Sequence, residues 1–321
     1  MIDLERINQY KVAVVQAGAE VMSKEKGIKK TIKLLEEAAE KNAKIIVFPE
    51  AFIPAYPRGM SFGTVVGIRS EEGRKDFLNY WKNSIKVPGP ETEEIGEAVK
   101  KAGAYVVIGV IEKDDEYSQG TLYCTALFFG PNGELLGKHR KLKPTGTERL
   151  IWGEGDGSTM PVFDTPYGRI GSLICWENYM PLARAAMYAK GVQIYIAPTA
   201  DARDTWFASM RHIAAEGRCF VLSCNQYSTK DMFPEEITSR EEFAKLDHEL
   251  TRGGSCIVDP LGEFLVEPVL GEESIIYADI DLDKIAESQF DFDVVGHYSR
   301  KDVFQLIVNE KKQENVIWNK D

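Results

Sequence analysis

Three short segments restrict what this chain can fold into more than any other feature. Each has a proline, then a glycine two residues later, between β-forming residues. They are Leu127–Leu135 around Pro131 and Gly133, Val162–Ile170 around Pro166 and Gly168, and Cys256–Phe264 around Pro260 and Gly262. Proline presets a turn torsion and glycine accepts a left-handed one, so each segment reads as paired strands around a tight turn. Their spacing is irregular, which argues against an internal repeat.

The first half adds strands that alternate with helices. Tyr10–Gln16 is an apolar strand, and Lys24–Asn42 has helical periodicity with Ile28, Ile32, Leu35, Ala38 and Ala39 on one face. Lys44–Phe48 is a second buried strand, with Pro49 and Glu50 at its carboxyl end. Pro90–Gly103 reads as a helix with acids at its start, and Tyr105–Ile111 as the next strand. Alternation followed by hairpins predicts an α/β chain with two mixed β-sheets and helices packed outside them. No Gly/Ser linker divides the sequence, so 1–321 is read as a single domain. Two long stretches, Pro54–Gly73 and Ser228–Arg252, fall outside this plan, the second with a helix-like Arg240–Leu246. Loops of that length in a compact domain are usually functional or interfacial. The tail from Phe290 carries the strand-like apolar run Val303–Val308, which should dock on its own subunit or on another.

Composition narrows the function classes. A net charge of -11 argues against a nucleic-acid backbone as partner. No apolar stretch reaches membrane-span length. The N-terminus, Met1–Arg6, lacks the basic-then-apolar layout of a signal peptide. Five cysteines, an odd number with no CxxC pair, fit free thiols in a reducing, cytoplasmic setting. The four histidines, His139, His212, His248 and His297, have no metal-ligand spacing, so a histidine-rich zinc site is not expected.

Cys175 is the residue with the clearest chemical promise. It ends the apolar run Ile170–Ile174 and precedes Trp176-Glu177-Asn178, after which Pro181 opens a helical pattern. A thiol on a strand-to-helix turn is held rigidly, and a helix N-terminus favours the thiolate. Free cysteine is also a common small core hydrophobe, so position alone does not decide. A nucleophile needs a base and a stabiliser of negative charge. No histidine is obviously placed for this; His139 is nearest in sequence and His212 falls mid-helix. Glu50 at a strand end and Lys141 after a hairpin strand are better candidates. Glu148, beyond Pro144 and Gly146, is by itself only a surface acid.

Taken together, these pieces resemble the nitrilase branch of the carbon–nitrogen hydrolase superfamily. The matching segments are Phe48-Pro49-Glu50-Ala51-Phe52, His139-Arg140-Lys141-Leu142-Lys143-Pro144-Thr145 with Glu148, Gly171-Ser172-Leu173-Ile174-Cys175-Trp176-Glu177-Asn178, and Val295-Gly296-His297-Tyr298-Ser299-Arg300. They run in order along nearly the whole chain, and the ordered set is far more specific than any one piece. The resemblance implies a four-layer α-β-β-α sandwich and a Glu–Lys–Cys triad with a second glutamate. Cys175 would be the nucleophile, Glu50 the general base and Lys141 the oxyanion stabiliser and proton donor. Glu148 would position Lys141 or relay protons. The Trp176 backbone N–H would be a second donor, and Tyr56, Trp152 and Trp176 would form pocket walls. The loop Pro54–Gly59 would shape the entrance.

Trp176-Glu177 after the cysteine is similar to nitrilases, whereas amidase-type relatives carry Tyr-Asp. The implied activity is hydrolysis of a nitrile to the carboxylic acid and ammonia. It needs no metal or organic cofactor, because the thiol and the ammonium supply nucleophile and electrophilic assistance. The alternatives are an amidase or a cyanide-degrading hydrolase on the same fold. A homo-oligomer, dimer or larger spiral, is also implied. It would assemble through the Pro181–Met187 helix region, the two long loops and an interfacial tail of about 290–321.

Overall fold

A computed structural model describes residues 6–319. Of the segment Met1–Arg6, read from sequence as lacking a signal-peptide layout, residues 1–5 lie outside the described residues. Six strands form one mixed sheet in the order Ser274–Asp281, Gln9–Gln16, Ala43–Val47, Tyr105–Lys113, Leu122–Phe129, Leu135–Arg140. The second mixed sheet runs Tyr227–Thr229, Glu249–Val258, Phe220–Asn225, Ile194–Thr199, Gly168–Ser172, Val162–Thr165, and Phe264–Leu270 also pairs with Glu249–Val258.

Side-chain alternation shows why the sheets stack. Val12, Val14, Ile45, Val47, Ile194 and Ile196 belong to the core between the sheets. Their neighbours Ala13, Val15, Ile46 and Phe48 face the other way, into a cluster with Ile28, Leu35, Ile95 and Val99 of the helices Lys24–Ala39 and Pro90–Ala102. Tyr195, Ala197 and Val221 meet Ala186, Met187, Trp206 and Met210 of the helices Pro181–Ala189 and Asp204–Gly217. Strands buried on both faces read as continuous apolar runs, with successive residues serving different layers. The result is the expected α-β-β-α sandwich.

All three expected hairpins form. The pairs are Leu122–Phe129 with Leu135–Arg140, Val162–Thr165 with Gly168–Ser172, and Glu249–Val258 with Phe264–Leu270. Their turn glycines, Gly133, Gly168 and Gly262, have φ of +86°, +94° and +86°.

Several details differ from expectation. The strand before Cys175 ends at Ser172, and Cys175 itself opens a 3₁₀ turn, Cys175–Tyr179. The helix-like Arg240–Leu246 holds only the one-turn helix Glu241–Ala244, and a further one-turn helix, Glu235–Thr238, precedes it. Within Pro54–Gly73 the hairpin strands Thr64–Val65 and Ile68–Arg69 appear, and its end opens the helix Glu71–Asn83. Val303–Val308 is not a strand. It runs irregularly, with Phe304 78% and Ile307 91% exposed. Around it the tail is tied down by polar contacts, including Lys190–Glu310, Lys312–Glu116 and the Gln313 N–H on Asp156 at 2.7 Å. Among the described residues, no helix is long and apolar enough to cross a membrane.

Candidate active site

The chain brings Glu50, Lys141 and Glu148 together from three separate elements. Glu50 follows the strand Ala43–Val47, and the Gly109 N–H on the adjacent strand donates to the Pro49 carbonyl at 3.1 Å. A side chain at Gly109 would lie 2.3 Å from that carbonyl and 2.7 Å from the Glu50 Cα, so glycine permits the close approach. Gln226 donates to the Glu50 carbonyl at 2.9 Å, which fixes the backbone from the second sheet. Lys141 leaves the strand Leu135–Arg140, with its N–H on the Cys124 carbonyl at 2.8 Å. Glu148 sits in the 3₁₀ helix Gly146–Leu150 and accepts from the Thr145 N–H at 2.6 Å.

The three side chains form one buried cluster. The Lys141 ammonium donates to Glu50 Oε1 at 2.7 Å and to Glu148 Oε2 at 2.8 Å. The Tyr56 hydroxyl donates to Glu148 Oε1 at 2.7 Å. Cys124 points its thiol at Glu50 Oε1, 3.5 Å away. Glu50 Oε2 is buried and has no hydrogen-bond partner among the described residues. It is a free acceptor inside the site.

Cys175 has φ of +50°, a left-handed torsion that a non-glycine residue adopts only when its surroundings impose it. The imposing groups are visible. The Asn178 amide donates to the carbonyls of Leu173 and Cys175 at 2.9 and 2.8 Å, and the Tyr195 hydroxyl donates to Asn178 at 2.8 Å. The Thr199 hydroxyl donates to the sulfur at 3.2 Å. Sequence reasoning did not single out Thr199 or Asn178 for these contacts. The only local signal for Thr199 is its place at the end of the apolar run Ile194–Thr199.

Glu177 makes a second buried constellation. Its Oε2 accepts from the Ile174 N–H at 2.6 Å and faces His139 Nε2 at 2.8 Å, while its Oε1 accepts from the Leu142 N–H at 2.6 Å. His139 Nδ1 lies 2.6 Å from the Thr159 carbonyl. His212, by contrast, is largely exposed on its helix, 3.6 Å from Glu216.

Burial and charge set the protonation states. Burial pushes the Cys175 thiol up to about 12, and Glu50 adds to the shift. Lys141, the Thr199 hydroxyl and the Ala200 N–H oppose it. Burial also raises Glu50, against the pull of Lys141. For Lys141 burial disfavours the charge, but the surrounding acids, Glu50 foremost, hold it well above the ordinary lysine value. His139 behaves alike: burial opposes its charge, yet Glu177 holds it above the ordinary histidine value. Glu50, Lys141 and Cys175 act on one another, so their protons belong to that cluster as a set.

A cavity of about 500 Å³ opens over the cluster, lined by Tyr56, Glu148, Cys175, Trp176 and Arg203 among others. Trp176 is held by its indole N–H on Asp201 at 2.8 Å and by the Arg203 guanidinium 4.8 Å from its ring centre. Trp152 stands behind this wall. It is buried, edge-on to Tyr56 at 5.7 Å, with the Lys141 ammonium 5.6 Å from its ring centre. A thiol, a buried cation and a carboxylate with a free oxygen beside one cavity can attack an electrophilic carbon and manage the protons that follow. Among the described residues, no group of three or more His, Cys, Asp or Glu side chains is arranged to hold a metal ion.

Residues 11–290 match the carbon–nitrogen hydrolase family. The chain belongs to the carbon–nitrogen hydrolase family. It is similar to an aliphatic nitrilase of Sinorhizobium fredii, 54% identical over 97% of this chain and 99% of that one. It is also similar to a bifunctional nitrilase/nitrile hydratase of Lupinus angustifolius, 51% identical over 94% of this chain and 86% of that one. Among solved structures it resembles Saccharomyces cerevisiae Nit3, a member of branch 10 of the nitrilase superfamily. The TM-score there is 0.72 at 22% identity, covering 92% of this chain and 97% of that one, a likeness of fold alone. In this carbon–nitrogen hydrolase the first three ordered motifs sit within the sandwich, and the fourth, Val295–Arg300, lies in the tail beyond its last helix.

Proposed function

We propose that this protein is a nitrilase, converting R–C≡N and two waters to R–COOH and ammonia, with Cys175, Glu50, Lys141 and Glu148 as its catalytic residues. The observation that carries this reading is a thiol and a buried Glu50–Lys141–Glu148 cluster beside one cavity, in a chain 54% identical to a named nitrilase. Glu50 takes the thiol proton, and the sulfur attacks the nitrile carbon while Lys141 supports the developing negative charge on nitrogen. Water adds to the resulting thioimidate. Loss of ammonia leaves an acyl thioester, and a second water activated by Glu50 releases the acid. Tyr56 and Trp176 line the substrate cavity, with Trp152 as backing.

The tetrahedral intermediate has two exits. Expelling ammonia leads to acid, and expelling the thiolate leads to amide. Protonation of the amine by the Lys141–Glu148 pair favours the first. Chromatography of products from a small aliphatic nitrile, an arylacetonitrile and the matching amides tests the reading. The expected result is mainly acid with one equivalent of ammonia, slow turnover of amides, and a larger amide fraction at lower total rate in Glu148→Gln. Faster hydrolysis of the amides than of every nitrile would replace the nitrilase reading with an amidase on the same fold.

The pH profile follows from the same cluster. Glu50 must be ionised to accept a proton, and its pKa is raised. Activity therefore falls as pH drops through a midpoint above the usual carboxylate range. Lys141 must stay charged and is held above its ordinary value, so its deprotonation sets no limb near neutral pH. A kcat/KM profile with its acid limb at an ordinary exposed-glutamate position would contradict Glu50 as base.

The reading treats the chain as one domain that self-associates as a homo-oligomer. Exposed Phe304, Ile307 and Trp318 in the tail support this, because such side chains gain from burial against a second copy. Five free, buried cysteines support a reducing, cytoplasmic setting.

A further inference from the structure

Glu50, Lys141, Glu148 and Cys175 leave a second buried ion pair without a task in the chemistry. His139 lies two residues before Lys141 (141 − 139), and Glu177 two residues after Cys175 (177 − 175). Both side chains are fully buried. The Glu177 carboxylate bonds the N–H of Ile174 and the N–H of Leu142. Those two residues are the direct chain neighbours of Cys175 and Lys141. One side chain therefore grips the backbone beside the thiol and the backbone beside the ammonium, across two different elements.

The donor count suits an ion pair. Glu177 receives two backbone N–H groups and an imidazole nitrogen, which suits an ionised carboxylate. His139 faces two acceptors, the Glu177 carboxylate and the Thr159 carbonyl, so both of its nitrogens carry protons. The imidazolium cancels the carboxylate's charge where no water can, and the Thr159 carbonyl fixes the ring from its far side.

We propose that Glu177, neutralised and oriented by His139, is a positioning residue that sets the spacing between the Cys175 thiol and the Lys141 ammonium. A folding element alone needs no grip on both catalytic neighbours; a spacer does. Geometry errors near 1 Å at a reacting centre cost about a hundredfold in rate, so a loosened clamp acts on kcat before it acts on substrate binding.

The inference rests on Cys175 and Lys141 acting together, and that is tested first. In the parent enzyme, activity is expected to fall in step with iodoacetamide labelling of Cys175, located by peptide mass spectrometry. Activity surviving full labelling would end the catalytic reading itself. Glu177→Gln and His139→Gln are then compared with the parent by kcat and KM per titratable Cys175, by iodoacetamide labelling rate, and by melting temperature. Expected are a fall in kcat of about a hundredfold for Glu177→Gln and at least about tenfold for His139→Gln. KM is expected to stay within about threefold, with slower labelling in both variants. A parent-like kcat per titrated site in either variant, or failure of both to yield folded protein, would reduce the pair to a folding element and overturn the proposal.

Discussion

Cys175→Ala is expected to lower kcat by more than about a thousandfold, a loss of about 4 kcal/mol in transition-state stabilisation, while the protein keeps its fold. The sulfur is the only atom removed. It is buried and holds one side-chain hydrogen bond, from Thr199. The turn's shape is set instead by Asn178 and the Glu177 carboxylate, which alanine leaves in place. Turnover measured beside circular dichroism and melting temperature separates chemistry from folding. Residual activity above about a thousandth of the parent would be inconsistent with covalent catalysis through this residue. Alanine at Cys219, Cys224 or Cys256 should act on stability instead, because each is buried in the core. Cys124 stands apart from those three, since its thiol touches Glu50.

Lys141→Met is expected to be nearly as damaging to turnover, and more damaging to stability. The ammonium is the shared partner of Glu50 and Glu148, with no exposed surface of its own. Removing it strands two carboxylates in a buried site, and breaking a buried pair in this way costs about 3–5 kcal/mol. Part of that loss is recovered by protonation, which also removes Glu50 as a base. Lys141→Arg keeps the charge but replaces a compact ammonium with a planar fork. The two oxygens at 2.7 and 2.8 Å leave no room for it, so activity below about a hundredth of the parent is expected. Steady-state rates and chemical denaturation of both variants decide the matter. A near-normal rate for the arginine variant would show that Lys141 supplies charge alone.

The parts of this architecture that were legible from sequence are those encoded locally. Proline and glycine fixed the three hairpins, and continuous apolar runs marked strands buried on both faces. The helix Glu71–Asn83 was not read from the sequence, although Phe77, Tyr80 and Trp81 recur at helical spacing and pack on the core between the sheets. Its start falls inside the Gly- and aromatic-rich stretch Pro54–Gly73, which has no clear period. The Val303–Val308 run misled in the other direction. Its residues suit a strand, but no strand partner exists for them among the described residues. At the site, motif order brought forward Glu50, Lys141, Glu148 and Cys175. Glu148 alone looked like a surface acid, and it is buried against Lys141 and Tyr56. The pairing of His139 with Glu177 was not legible, because its members lie 38 residues apart on different elements. Thr199 reaches the sulfur only because its strand lies beside Gly168–Ser172 in the sheet.

The left-handed torsion of Cys175 sets two selective pressures against each other. Glycine adopts φ of +50° without penalty, whereas a side chain there costs about 1–3 kcal/mol. The nucleophile therefore occupies the position where the backbone itself would prefer to have none. Directed evolution that rewards heat resistance without checking turnover would be drawn toward glycine at 175, gaining melting temperature as it discards the reaction. A thermostabilising campaign on this scaffold has to screen for activity at every round, or hold this codon fixed from the start.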